Sequence, residues 1–180
     1  MDREPQKTSG REEGMPSPEP IAMRPIGIIH SQHERIDKTP VQPVFARGCR
    51  GTVEVFPEYA AGLKDIEGFS HLYLLFYMDR AQPAKLIVKP FLDEVERGIF
   101  ATRSPWRPNG IGLSVVELLS RKDNLLEVDG VDILDGTQLL DIKPFTSRFD
   151  THQTTRNGWQ DPLDEETIME RGLQGFTKKS

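Results

Sequence analysis

Residues 102–118 read TRSPWRPNGIGLSVVEL, which places Arg103 and Arg107, two prolines, Asn109 and two glycines directly ahead of an apolar run. Pro105 and Pro108 fix their own φ and push Ser104 and Arg107 toward extended backbone, so this loop loses little entropy on ordering. Gly110 and Gly112 permit close backbone approach, and Asn109 offers a donor and an acceptor at once. A stiff loop with two guanidinium groups suits an anionic or polar ligand; the same residues also describe a solvated turn before a strand.

A second candidate is DGTQLLDIKPF, residues 135–145. Asp135 and Gly136 form either a plain hairpin turn or a corner whose carboxylate and amides hold a ligand's amine, hydroxyls or base edge. A third is PVQP, residues 40–43, where the Gln42 amide stands between prolines, a pattern shared with ordinary linkers. His30, His33, His71 and His152 lie far apart without paired ligand spacing, and Cys49 is the only cysteine, so neither a metal site nor an internal disulfide is expected. His71 sits in an apolar stretch and reads as a hydrogen-bonded core histidine. The chain carries no Gly-x-Ser-x-Gly elbow, Walker loop or dinucleotide fingerprint.

The elements that must position these residues are short. From Met23 onward PIGIIH, TVEVF, FSHLYLLFYM, KLIVKP, GIFAT, IGLSVVELL, NLLEV, VDIL and LLDIKPF alternate with turn residues, the pattern of strands. TVEVF at 52–56 alternates strictly, as a half-buried strand does, whereas Phe69–Met78 is apolar at nearly every position and predicts a strand covered on both faces. With no regular helices intervening, the expected fold is all-β: a small open or closed barrel of short, mainly antiparallel strands. Short helices are expected over Glu58–Leu63 and Asp161–Arg171, the second with Gly172 as its stop.

The 180 residues suit one domain, read as a disordered Pro/Glu-rich tail over 1–20, a barrel over 21–150 and a polar C-terminal tail over 151–180 in which Trp159 and Phe176 are apolar enough to dock. Apolar content of 36% and 28% charged residues are ordinary for a soluble protein, and neither a membrane span nor a secretory signal stands out, so a cytoplasmic location is expected. The net charge of −5 argues against non-specific nucleic-acid binding, yet the acids crowd the tails while Arg80, Lys85, Lys89, Arg97, Arg103 and Arg107 fall within residues 80–107. Taken alone, these residues lead to a β domain with a rigid cationic loop and stop short of a reaction.

Together, FSHLYLLFY (69–77), GIFATRSPWRPNGIGLSVVELL (98–119) and LDGTQLLDIKPF (134–145) resemble the signatures of the TsaA-like family, the tRNA N6-threonylcarbamoyladenosine methyltransferases. The resemblance spans about residues 24–150. It implies a small β-barrel that binds S-adenosyl-L-methionine without a dinucleotide-type sheet, a homodimer with sites near the subunit interface, and N-methylation of the threonylcarbamoyl-modified adenosine beside the anticodon of certain tRNAs. Carried over by matching positions, the implied cofactor contacts are Val41, Gln42 and Pro43; Asp79 and Arg80; Arg103; Leu113; and Asp135, Gly136, Thr137 and Gln138. Val41 replaces the family's arginine, Asp79 and Arg80 replace a histidine and a polar residue, and Gln138 replaces a proline. Arg107, Lys89 and Arg97 are expected to approach RNA phosphates, and Asp79 and His71 are the candidate proton acceptors. Three rival readings stand beside it: a methyltransferase of this fold acting on a small molecule, a non-catalytic RNA-binding barrel using Trp106 and Phe145, and a purely structural dimer without affinity for the cofactor.

Overall fold

A computed structural model describes residues 19–81 and 83–173. The tail expected over residues 1–20 therefore lies almost wholly outside the described residues, as does Phe176.

The strands are β1 (Gly27–His30), β2 (Arg50–Val55), β3 (His71–Tyr77), β4 (Ile87–Val88), β5 (Arg97–Gly98), β6 (Ile111–Lys122), β7 (Leu125–Asp129) and β8 (Thr137–Phe145). Six of them close an antiparallel barrel in the order β1-β2-β7-β6-β3-β8, and β4 and β5 form a separate two-stranded ribbon. Closure comes from pairing β1 with β8, Gly27 opposite Leu139 and Ile29 opposite Thr137. The ring leaves no open edge among its six strands.

Alternation decides which side chains face inward. In β3, Leu72, Leu74 and Phe76 are buried while the residues between them are more open, so Phe69–Met78 is covered mainly on one face rather than on both. Apolar side chains on the outer face of the strand account for its continuous hydrophobic look. Ile29, Val53, Val116, Leu126, Val128 and Leu139 complete the interior with them. Burying aliphatic side chains of this size stabilises by roughly 1.5–3 kcal/mol each, enough to fix the strand register. Gly112 belongs to the inward set, and a Cβ placed on it would lie 2.2 Å from the Phe76 ring, so the second glycine of the GIG motif makes room for an aromatic side chain.

The Glu58–Leu63 helix is present as a 3-10 segment over Pro57–Leu63. VDIL is not a strand, and GIFAT is mostly a 3-10 turn over Ile99–Ala101 rather than a strand. After β8 come a short helix α1 (Ser147–Asp150) and a longer α2 (Glu165–Leu173). Gly172 is not the stop of α2 but a buried residue within it, packed on the Phe45 ring. Among the described residues no helix is long and apolar enough to cross a membrane.

Candidate functional site

Antiparallel pairing sends three long connections to one end of the barrel: residues 31–49 between β1 and β2, 78–110 between β3 and β6, and 130–136 between β7 and β8. Each candidate cofactor contact except Leu113, Thr137 and Gln138 lies in one of these connections, and those three sit on the first residues of β6 and β8 at the same end.

The connections are bonded to one another in a ring. Ser31 Oγ donates to the Ile133 carbonyl at 2.5 Å, and the Ser31 amide donates to Asp135 Oδ1 at 3.0 Å. His33 Nε2 lies 2.9 Å from the Val131 carbonyl, and burial lowers the pKa of that imidazole while the carbonyl opposes the shift. These bonds lace the first connection to the third. Arg80 laces the second to the third: its guanidinium donates to the Asp135 carbonyl at 2.8 Å and to Thr137 Oγ1 at 2.7 Å, while its Nε stands 3.4 Å from Asp79 Oδ1. Arg103 closes the ring, donating to Gln42 Oε1 at 2.5 Å.

Around that ring the remaining candidates take definite places. The Asp135–Gly136 corner is a turn, with Gly136 at φ +72° and its amide donating to the Ile29 carbonyl at 2.9 Å. A left-handed φ of this kind favours glycine. The Asp135 carboxylate also stands 3.6 Å from His30 Nδ1 and remains half exposed. Gln42 folds back on the Val41 carbonyl, and Pro43 opens the 3-10 turn Pro43–Phe45, which packs beside β6. Leu113 points outward from β6 and is 55% exposed. Gln138 is exposed on β8 opposite Ile28.

One residue that the sequence reading passed over stands among them. Asp132, two places before Leu134 in the third connection, accepts a hydrogen bond at 2.6 Å from Ser114 Oγ, an inward-facing hydroxyl of β6. Desolvation raises its pKa to about 6, and the Ser114 bond and the Arg103 charge pull the other way. The available signal was an acid enclosed by Val131 and Ile133, both buried.

One expectation needs correcting. His71 begins β3 at the opposite end of the barrel, where it bonds to Ser70 Oγ at 2.9 Å and meets the Phe145 ring, so it is neither deep in the core nor near the candidate cofactor contacts. The three cations expected on RNA phosphates are engaged within the chain. Lys89 pairs with Glu94, Arg97 forks onto Asp93 at 2.6 and 2.9 Å, and Arg107 donates to the carbonyls of Ile99 and Thr102. Trp106, capped by Lys85 at 4.6 Å, lies in the 78–110 connection, whereas Phe145 packs on Tyr73 at the far end. Among the described residues no cluster of three or more His, Cys, Asp or Glu is arranged to hold a metal.

The donor set suits a zwitterionic nucleoside cofactor. The exposed Arg103 guanidinium matches a carboxylate, the half-exposed Asp135 carboxylate matches an ammonium or a ribose diol, and the outward face of Leu113 matches a purine.

Comparison with known proteins places this arrangement. The chain is 52% identical over 139 residues, covering 77% of this chain and 76% of the relative, to a probable S-adenosyl-L-methionine-binding protein of Pyrococcus abyssi. It is 33% identical to the tRNA (adenine(37)-N6)-methyltransferase of Homo sapiens, over 74% of this chain but 32% of the human one. The crystal structure of TrmO from Pseudomonas aeruginosa superposes with a TM-score of 0.65 at 38% identity, covering 80% of this chain and 64% of that one. The chain thus spans under two thirds of that solved protein and about a third of the human enzyme. Residues 28–151 match the family described as the tRNA-methyltransferase O N-terminal domain, and the chain belongs to that family.

Proposed function

We propose that this chain is an S-adenosyl-L-methionine-dependent methyltransferase that methylates N6 of the threonylcarbamoyl-modified adenosine next to the anticodon of tRNA, in the cytoplasm. The observation that carries the reading is the ring of bonds Ser31–Asp135, Arg80–Thr137 and Gln42–Arg103, which gathers the candidate cofactor contacts at one barrel end. Val41, Gln42, Pro43, Asp79, Arg80, Arg103, Leu113, Asp135, Gly136, Thr137 and Gln138 are the residues assigned to the cofactor. Bound there, S-adenosyl-L-methionine supplies an electrophilic methyl group.

The chain's own task is positioning. Methyl transfer requires nucleophile, methyl carbon and sulfur in line, and a preformed site removes much of the entropic cost of that alignment. Arg80 acts here chiefly on the Asp135–Thr137 corner, holding its backbone for the ligand. Arg103, exposed and oriented by Gln42, is free to meet a carboxylate on the cofactor or on the threonyl group.

A homodimer is part of this reading. Leu86, Ile87, Phe91, Val95 and Phe100 in the second connection are each at least 54% exposed, an apolar concentration that monomers seldom leave uncovered. A second copy seated there lies next to the site loops. Light scattering after gel filtration gives the expected mass of two chains; a monomer rejects this part.

One observation favours a second reading, methyl transfer to a small molecule: Lys89 is paired with Glu94, Arg97 with Asp93 and Arg107 with backbone carbonyls, so none of the three cations is left unpaired for a phosphate track. A single experiment separates the two. Purified protein is incubated with methyl-labelled cofactor and either threonylcarbamoylated tRNA, tRNA lacking that group, or a metabolite extract. Label confined to the methylated threonylcarbamoyl nucleoside by mass spectrometry supports the tRNA reading. Label confined to the extract replaces it, and salt-dependent tRNA binding with no transfer points to a non-catalytic barrel.

A further inference from the structure

Asp132 has no evident structural employment that a neutral residue would not fill better. Its neighbours Val131 and Ile133 are buried, its carboxylate is bonded by the Ser114 hydroxyl and by its own backbone N–H, and among the described residues it forms no ion pair. A carboxylate whose desolvation outweighs the hydrogen bonds and the Arg103 charge that favour it costs stability, whereas asparagine would keep the Ser114 hydrogen bond without the charge. Charges retained at such a cost mark functional positions when they stand in a site. Asp132 does stand in one: it precedes the Leu134–Thr137 corner that Arg80 fixes, and Arg103 acts on it electrostatically.

We propose that Asp132 is the proton acceptor of the methyl transfer and that Ser114 is the positioning residue that holds its carboxylate. This rests on the methyltransferase reading above. As the N–CH3 bond forms, the S–CH3 bond breaks and sulfur keeps that pair as a neutral thioether. The N–H bond breaks toward an Asp132 oxygen, its electron pair staying on nitrogen, which ends neutral. A base somewhat stronger than an ordinary aspartate, yet largely ionised at neutral pH, suits this task.

Two side chains act on Asp132, and the neighbouring titratable groups are turned elsewhere. Ser114 approaches from β6 and Arg103 from the second connection. His33 bonds the adjacent Val131 carbonyl, and Asp135 turns its own carboxylate to Ser31 and His30.

The test uses the full chain, Asp132→Asn and Ser114→Ala, with three readouts: cofactor affinity by calorimetry, single-turnover methyl transfer to threonylcarbamoylated tRNA from pH 5 to 9, and titration of the Asp132 carboxyl by carbon NMR in the unmodified protein. The expected result is that Asp132→Asn keeps cofactor affinity within about twofold, slows transfer about a hundredfold or more and abolishes the acid limb of the profile. Ser114→Ala, which removes a bond that favours the ionised form, moves both that limb and the carboxyl titration to higher pH. A transfer rate in Asp132→Asn within about threefold of the unmodified protein overturns the proposal. So does a cofactor dissociation constant raised about tenfold, which would make Asp132 a cofactor contact instead. An Asp132 titration near the ordinary value of about 4 also overturns it, and that readout holds even where Asp132→Asn does not fold. If the unmodified protein binds the cofactor but leaves this tRNA unmethylated, the tRNA reading fails by itself, and Asp132 is judged on its titration and on affinity.

Discussion

The carbonyl of Gly172, in the last turn of α2, accepts a hydrogen bond from the backbone N–H of Val41 at 3.0 Å. A helix beyond the family domain of residues 28–151 is thereby fastened to the loop that carries Gln42. The same C-terminal stretch reaches the other cationic loop: Trp159 Nε1 donates to the Ala101 carbonyl at 2.8 Å, the Arg97 guanidinium lies 5.8 Å from the Trp159 ring, and Arg171 pairs with Glu94 at 3.0 Å. Residues 157–173 therefore span the neighbourhoods of both Gln42 and Arg103.

Loosening that span should weaken cofactor binding without touching a cofactor contact. Gly172→Leu places a side chain where even a Cβ falls 2.4 Å from the Phe45 ring, and overpacking of this kind costs about 1–3 kcal/mol. Trp159→Ala removes the indole from Ala101 and Arg97. We expect either change to raise the cofactor dissociation constant by about threefold to tenfold, and hydrogen exchange to quicken in residues 40–46 and 99–103 while the barrel strands stay protected. Unchanged exchange in both loops would show that the helix merely rests on the barrel.

Much of the barrel was legible because period-two burial leaves a plain trace. Gly112, Ser114 and Val116 alternate with open positions, and Asp123–Asn124 separates β6 from β7 at a turn. Ring closure was not legible, since the pairing of Ile29 with Thr137 joins distant segments through backbone groups that all residues share. Asp132 was lost for a related reason. VDIL has the composition of a strand, and only the Ser114 hydroxyl arriving from β6 gives its acid a role. The docking of α2 escaped because its anchor is a glycine, whose value lies in the space that Phe45 occupies.

Arg103 and Gln42 should behave as a unit. Arg103→Ala is expected to raise the cofactor dissociation constant about tenfold or more, the loss of a charge-assisted bond. Gln42→Ala frees the guanidinium to wander and should cost less. Because the two side chains touch at 2.5 Å, the double variant should fall short of the sum of the two single effects in free energy. Additive losses in calorimetry would mean that the pair does not act together on the ligand.

Arg80 makes a different kind of contribution, because its donors go to the Asp135 carbonyl and to Thr137 Oγ1 rather than outward. Lysine cannot reproduce that fork, so Arg80→Lys should lose nearly as much affinity as Arg80→Ala. Thr137→Val, which deletes one acceptor and keeps the shape, should give an intermediate loss. Full activity in Arg80→Lys would instead assign its role to charge alone.

Stability should carry the signature of Asp132 as a function of pH. Its folded pKa, raised to about 6, exceeds the ordinary carboxylate value, so the folded state binds this proton more tightly than the unfolded chain does. The linkage sign follows: below about pH 4 both states are protonated and the residue is neutral to stability, between about 4 and 6 the folded state loses ground as pH rises, and above that the penalty is constant. For a carboxylate enclosed as this one is, a shift of that size corresponds to a penalty of about 1–3 kcal/mol. Asp132→Asn should therefore raise the urea midpoint at pH 8 and change it little at pH 4, the reverse of what removing a salt-bridged acid does. A variant that is destabilised equally at both pH values would show that the carboxylate is held for packing, and its retention would then need no catalytic explanation.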